Sequence, residues 1–463
     1  MSSSEGEDFL NSADVNEEFS FEENGEDYDD DNFDDNEMEE DSEQMEQQKY
    51  AEELEYEDIG EPATFNFNIH NGNHFLSANL HLIIFIFTIV LGEPVYSLDF
   101  LQGTELLATG SGDDRSLLVD ARELQVLADL GSAGDSIISV KFYQGREKTG
   151  EAPLLLATAS MDGVVRIYTS HPQNGIELKC AFEGPGEGIE CNWIDWHSRG
   201  PIIIAGYADG SVWMWNVMIA GGDAVMAIFA GHVTTPVTSG SFSPDGKIII
   251  AGSEEGVLLV HTPKDPSTPL AKIVPQAHQE TALGEITHIA VHPTSQIFMA
   301  GDSDGHLRVY KSTAGTQSMP LNDLSSLHSA SIESIGFHPL GSLAVSASMD
   351  GHAVVYDSSS FTPRHDILSS RLFDDVEGAE VDGFTMARWL AAMPNGPVLD
   401  TSLSFGLLLG SAQGRMAIVE ARSGLPLRRL RGRPGRPVLD ASVSAGGILA
   451  VAFDDGIISL YQL

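Results

Sequence analysis

Between Leu106 and Leu463 one pattern of apolar and polar positions returns eight times: an apolar run, a tight acidic turn, and a second apolar run. The copies read LLATGSGDDRSLLVD, LLLATASMDGVVRIY, IIIAGYADGSVWMW, IIIAGSEEGVLLVH, IFMAGDSDGHLRVY, LAVSASMDGHAVVY, LLLGSAQGRMAIVE and LAVAFDDGIISLYQL. Each reads as a β-hairpin. The turn glycines Gly163, Gly210, Gly256, Gly305, Gly351, Gly414 and Gly456 fall 47, 46, 49, 46, 63 and 42 residues apart, and Asp114 stands at the matching point of the first copy. Ahead of every hairpin a further segment alternates as a half-buried strand should: VYSLDF, IISVKF, CNWIDW, VTSGSF, ITHIAV, IESIGF, FTMARWL and VLDASV. A period of roughly 40 to 50 residues with one hairpin per copy is that of a propeller blade. The pattern predicts an all-β chain closed into a β-propeller of eight blades, or of seven if one copy is irregular.

The ends of the ring need a separate account. The last copy ends at its third strand, so its outer strand must come from upstream of the first blade if no edge is to stay open. TFNFNI, Thr64 to Ile69, alternates correctly and is expected to supply it. Between this strand and the first blade lies the segment Phe75–Leu91, FLSANLHLIIFIFTIVL. Its uninterrupted core, Leu82 to Val90, is shorter than the roughly 20 residues that cross a bilayer. A membrane anchor, a strand buried between blades and an intron translated in frame are the three readings of it. A poorly packed insertion is the expectation. The longest interval between turns, Gly351 to Gly414, holds an acidic insertion from Asp374 to Asp382 that should form an extended loop between blades six and seven.

Charge divides the chain in two. Residues 1–62 hold 27 Asp or Glu against the single Lys49, and this low-complexity polyanion is expected to be a disordered tail, with residues 63–463 forming the propeller. The whole chain carries −45, so the propeller is acidic as well. Direct binding to nucleic acid needs clustered Lys and Arg, and is not expected. The partner should be basic. Only Cys180 and Cys191 are present, too few for a disulfide framework, which points to the cytoplasm, with the nucleus as the other candidate compartment. The N-terminus is acidic where a secretory signal is basic and then apolar, and no membrane association is expected.

Several residues carry chemistry in principle. His197, His292 and His338 sit at the same place in different blades, just after the alternating strand, so they are spread around a ring and cannot converge on one ion; no cofactor or metal is expected. His328, Ser346 and Asp350, or His278 and Asp304, suggest a triad, but a nucleophile would be singular and these are repeated. The chain therefore reads as non-enzymatic. Trp193, Trp196, Trp213 and Trp215 crowd blade three and read as packing between blades, with a rim anchor as the alternative. Arg428, Arg429, Arg431, Arg433 and Arg436 break the acidic background and read as a solvated strand and loop, with a contact for the acidic tail, for RNA or for a second partner as the alternative. The acidic turns matter most. The hairpin turns and the loops between blades open on one face of a propeller, which places Glu93, Asp113, Asp114, Asp135, Glu187, Glu190, Glu254, Glu255, Glu285, Asp302, Glu333, Asp454 and Asp455 there. Asp162, Asp209, Asp304 and Asp350 are expected to be engaged within their own blades. A ring of carboxylates focuses a negative potential that draws in a Lys- and Arg-rich segment.

The repeats resemble WD40 repeats in degenerate form, with Gly231-His232 for the Gly-His pair and Trp215-Asn216 and Tyr356-Asp357 for the Trp-Asp pair. In such blades a His of the inter-blade loop, a Ser or Thr of the second strand and the turn Asp bond one another. The run EGPGEGIECNWIDWHSRGPIIIAGYADGSVWMWNV, Glu183 to Val217, together with the acidic tail, resembles the angio-associated migratory cell protein family. The likeness extends from Glu93 to Leu463; the segment Phe75–Leu91 departs from it. It implies an eight-bladed propeller that acts as a dedicated chaperone, holding the N-terminal segment of a newly made basic large-subunit ribosomal protein and escorting it to the pre-60S particle. The client site it implies is the acidic face, with Asp113, Asp114, Glu254, Glu255, Asp454 and Asp455 at the matching turns. Animal relatives, linked with cell migration and signalling, leave a signalling or ubiquitin-ligase adaptor scaffold as the alternative.

Overall fold

The computed structural model describes residues 63–65, 87–144, 154–171, 175–186, 188–218, 224–229, 235–275, 283–312, 320–373, 380–390 and 403–463. The proposed tail, residues 66–86, Glu187, Gly231-His232, His278 and residues 374–379 of the acidic insertion lie outside them.

Seven of the copies fold into antiparallel four-stranded sheets and the last contributes three strands to a five-stranded sheet, and the eight sheets form an eight-bladed propeller. The blades span Val95–Ser132, Ile137–Glu183, Cys191–Phe229, Val237–Ile273, Ile286–Asp323, Ile332–Leu368, Phe384–Leu430 and Val438–Gln462. Each inner strand lies against the inner strand of the next blade, and the last lies against the first, which closes the ring. The second strand of each blade is sandwiched between neighbouring sheets. That is why it is apolar on both faces and does not alternate: Leu155–Ser160, Leu343–Ser348 and Gly406–Ser411 are buried at every position. The outer strands touch neighbours on fewer sides and do alternate, as Gln125–Ser132 shows.

A β-bulge falls between the first and third residue of the inner strand in all eight blades. It frees the second residue from the ladder. In four blades that residue bonds the next blade: Asn192 Nδ2 donates to the Val237 carbonyl (3.1 Å), and the hydroxyls of Thr238, Thr287 and Thr385 donate to the carbonyls of Ile286 (2.5 Å), Ile332 (2.5 Å) and Val438 (2.7 Å). The third and fifth residues serve the inner edge in a similar way. Val140 N donates to Ser97 Oγ (3.1 Å), Phe142 N to Asp99 Oδ2 (2.7 Å), Phe242 N to Asp195 Oδ2 (2.9 Å) and Ile289 N to Ser239 Oγ (3.0 Å). Where the last blade meets the first, Leu98 N donates to Asp440 Oδ2 (2.9 Å) and Phe100 N to Ser442 Oγ (3.2 Å). An inner strand is a sheet edge facing the channel, and these side chains satisfy N–H groups its own sheet cannot reach.

The strand that completes blade eight is not Thr64–Ile69. Phe87–Val90 does so, antiparallel to Ile457–Gln462 with Phe87 opposite Leu460 and Val90 opposite Ile457. Ala63–Phe65 adds a fifth strand parallel to it, on the outside. The apolar segment is thus not wholly an insertion. Thr88 and Ile89 near its end are buried, and Ile89 joins one core cluster with Leu98, Ile458 and Leu460. Among the described residues no helix is long and apolar enough to cross a membrane. Asp382, assigned to an extended loop, is buried; it accepts from Gln413 N (3.0 Å) and pairs with Arg415 (2.7 Å).

Charged groups meet in the channel. Burial pushes the Asp99 carboxyl up to about 7; the Phe142 N–H and the nearby Lys141 offset it in part, and Asp440 adds to it. A carboxyl whose folded pKa exceeds its unfolded one takes up protons on folding, so this contribution to stability is full in acid and is lost as pH rises through about 7. His288, held down at about 4 by burial and then by Arg388 and Lys141, acts with the opposite sign, so the variant comparison is the informative one. Asp99→Asn keeps an acceptor for Phe142 N–H and removes the charge. It is expected to stabilise the protein by on the order of 2 kcal/mol at pH 8 and by almost nothing near pH 4, read from denaturant midpoints across that range.

Candidate functional site

The hairpin turns and the loops between blades are tied together on one face. In all eight blades the second turn residue donates its backbone N–H to the carbonyl just before the inner strand: Gly112 to Pro94, Met161 to Ser136, Ala208 to Glu190, Glu254 to Pro236, Ser303 to Glu285, Met349 to Ser331, Ala412 to Gly383 and Asp454 to Pro437. Four turn aspartates then accept the N–H two residues on: Asp113 from Arg115 (3.2 Å), Asp162 from Val164, Asp209 from Ser211 and Asp350 from His352 (each 2.9 Å). The next position needs a left-handed backbone. The seven glycines there have φ between +73° and +89°, and Asp114 takes the same conformation at +67°.

The predicted carboxylates divide into three groups on this face. Glu93, Asp135, Glu190, Glu254, Glu255, Glu285 and Glu333 are exposed, and Asp113 and Asp114 are half-buried in the first turn. These span blades one to six. Asp454 is also half-buried and marks the edge of blade eight. Two assignments need correction. Asp302 is fully buried and has no oxygen open to a partner: its two oxygens accept from the N–H groups of Gly284 (2.7 Å), Asp304 (3.0 Å) and His306 (2.7 Å) and meet His306 Nδ1 at 2.9 Å. Asp302 stands where most blades have a small Ser, so its carboxylate takes over the turn, and Asp304, expected to be engaged, is exposed instead. Asp455 is neutralised by Arg433 at 2.6 Å, with Arg436 at 4.0 Å. Part of the basic run therefore serves the chain's own turn. Asp302, Asp304 and His306 do bring their ligand atoms within 4.8 Å of one another, but the N–H groups already on Asp302 account for that arrangement.

The other chemical candidates are structural. His328 bonds Ser346 Oγ through Nε2 (2.7 Å) and Asp350 through Nδ1 (3.3 Å), and Ser346 in turn meets the Tyr356 hydroxyl (2.8 Å), which is the blade bonding that the WD40 resemblance implied. Burial alone would raise Asp350, but the hydrogen bonds from His328, Ser329 N and His352 N outweigh it and hold the carboxyl at about 2. His197, His292 and His338 each reach a carbonyl in the connection ahead of the next blade's second strand, at Gly246 (3.1 Å), Gly341 (3.0 Å) and Ser404 (2.9 Å). They fasten neighbouring blades. Trp193, Trp196 and Trp215 are buried in the core, and Trp213 stacks on Trp215 at 5.9 Å. The bulged second residues went unrecognised, although Thr recurring there in VTSGSF, ITHIAV and FTMARW was a visible signal.

A model of the family "WD domain, G-beta repeat" matches residues 177–216, 224–261, 271–311 and 322–357. The angio-associated migratory cell protein of Homo sapiens is 27% identical over 210 residues, 45% of this chain and 43% of that protein, so the match spans less than half of the relative's length. Among solved structures, Chaetomium thermophilum Sqt1 bound to the N-terminus of the ribosomal protein L10 superposes with a TM-score of 0.65 at 22% identity, covering 80% of this chain and 97% of that one. Saccharomyces cerevisiae Sqt1 superposes with 0.62 at 21% identity, covering 81% and 98%. At such identities the likeness to Sqt1 is one of fold. Repeat, ring and sequence agree, and the chain is a WD40-repeat β-propeller homologous to angio-associated migratory cell protein.

Proposed function

We propose that this protein is a non-enzymatic chaperone that holds a basic segment of a newly made large-subunit ribosomal protein in the cytoplasm and delivers it for 60S assembly. The observation that carries the reading is the arc of exposed carboxylates, from Glu93 to Glu333, on the face where eight turns and eight loops meet. Such an arc attracts a flexible cationic segment over a distance of about a Debye length and repels nucleic acid. The fold shared with Sqt1, one structure of which holds the N-terminus of ribosomal protein L10, supports the choice of client. The test is titration of the full chain with a synthetic peptide of the L10 N-terminus. Binding is expected to weaken by at least about tenfold for a severalfold increase in salt. No binding at low salt, or co-purification of ligase or receptor components in place of a ribosomal protein, would overturn the reading.

A further inference from the structure

The acidic arc runs along part of a channel mouth that is not uniform. The second residue of each inner strand, freed by the bulge, reaches the first residue of the next inner strand, as the Thr238–Ile286 and Thr385–Val438 bonds show. These eight residues therefore form a ring at the mouth, side by side. In blades three, four, five and seven they are Asn192, Thr238, Thr287 and Thr385, all spending their polar groups on the neighbouring blade. Blade six presents the exposed Glu333. In the three consecutive blades eight, one and two, Leu439, Tyr96 and Ile138 take the place. None of these three makes the inter-blade bond of its counterparts by a side-chain hydroxyl or amide to the next first residue. Leu439 and Ile138 are half-buried, and Tyr96 is 38% exposed, its ring alongside Gly112 of the first turn.

Three consecutive blades thus place two aliphatic side chains and one aromatic ring, all open to solvent in part, in a ring position next to turns and loops that carry Glu93, Asp113, Asp135 and Asp454, a mixture of apolar surface and charge suited to a binding site. Substituting a bonding Thr by Leu or Ile at a channel mouth gives up an inter-blade hydrogen bond and leaves apolar surface wet, two costs that a bound side chain would offset. We infer that the mouth between blades eight, one and two is an anchor site for one large apolar side chain, Leu or Phe in size, carried within the basic segment that the surrounding carboxylates attract. The inference rests on the reading of this face as a site for a basic peptide and adds to it what charge alone cannot give, a choice among basic sequences.

The test uses the full chain and three fluorescent peptides of equal positive charge, Lys and Arg alternating with Gly and Ser, with a central Leu, Phe or Ser. The Leu and Phe peptides are expected to bind about 10- to 100-fold more tightly than the Ser peptide. The double variant Tyr96→Ser, Leu439→Ser should bind all three alike, with the salt dependence unchanged. Tyr96→Ser alone, at a more exposed position and checked for an unchanged melting profile, should already reduce the preference severalfold. Equal binding of the three peptides by the wild-type chain, or a preference that survives in the double variant, would overturn the anchor site while leaving the acidic face standing. Failure of all three peptides to bind at low salt would remove both.

Discussion

Replacing Glu190, Glu254, Glu255 and Glu285 together by Lys should weaken binding of the L10 N-terminal peptide by about 100-fold at low salt, equivalent to about 2.7 kcal/mol. The four lie on blades three to five, are exposed, and no described cation pairs with them. Changing the sign of four exposed charges alters the local field strongly and the folded state little, because surface substitutions away from special features stay within about 0.5 kcal/mol each. The loss should shrink as salt is added, since each pairwise term is screened. Asp455→Lys is a different experiment. It sets a cation against Arg433 and Arg436, so it should lower stability before it informs on binding. Peptide affinity within about threefold of wild type for the four-Lys variant, measured by titration at low salt, would mean that the face is not the site.

That choice of residues shows how far the sequence could be read. Eight hairpins, the ring they form and the face on which their turns gather follow from period and alternation, because every copy repeats the same environment. Asp114 could be placed in a glycine's conformation from its position alone, and its φ of +67° agrees. Asp302 could not be separated from its exposed neighbours, because burial depends on which residue ends the second strand and on whether a carboxylate fits beneath the turn. A Ser in most blades, it is an Asp only in blade five. The pairing of Asp455 with Arg433 was hidden for another reason: the arginine belongs to the loop from blade seven and meets the turn of blade eight only in three dimensions. The bulges that shape the mouth leave no mark on hydrophobic period, since one extra residue at a strand's first turn preserves the alternation beyond it.

The closing strand is where the sequence misled most, and it carries the largest expected effect on stability. Ile89→Asp should lower the unfolding free energy by about 4 kcal/mol and the thermal midpoint by roughly 5–10 °C. Ile89 is 8% exposed and faces Ile458 across the last ladder, within the cluster that also holds Leu98 and Leu460, so the new carboxylate would have no partner and no water. The strand Phe87–Val90 is also the only described cover on the outer edge of Ile457–Gln462 apart from Ala63–Phe65 beyond it. Loosening it exposes a long apolar edge, and the variant should aggregate on heating as well as melt early. Ile228→Asp is the control. Ile228 is 40% exposed on the outer strand of blade three, where a carboxylate stays solvated, and it should shift the midpoint hardly at all. An Ile89→Asp protein as stable as the Ile228→Asp protein would mean that blade eight is completed by something other than this strand, and that the apolar run before blade one is an insertion after all.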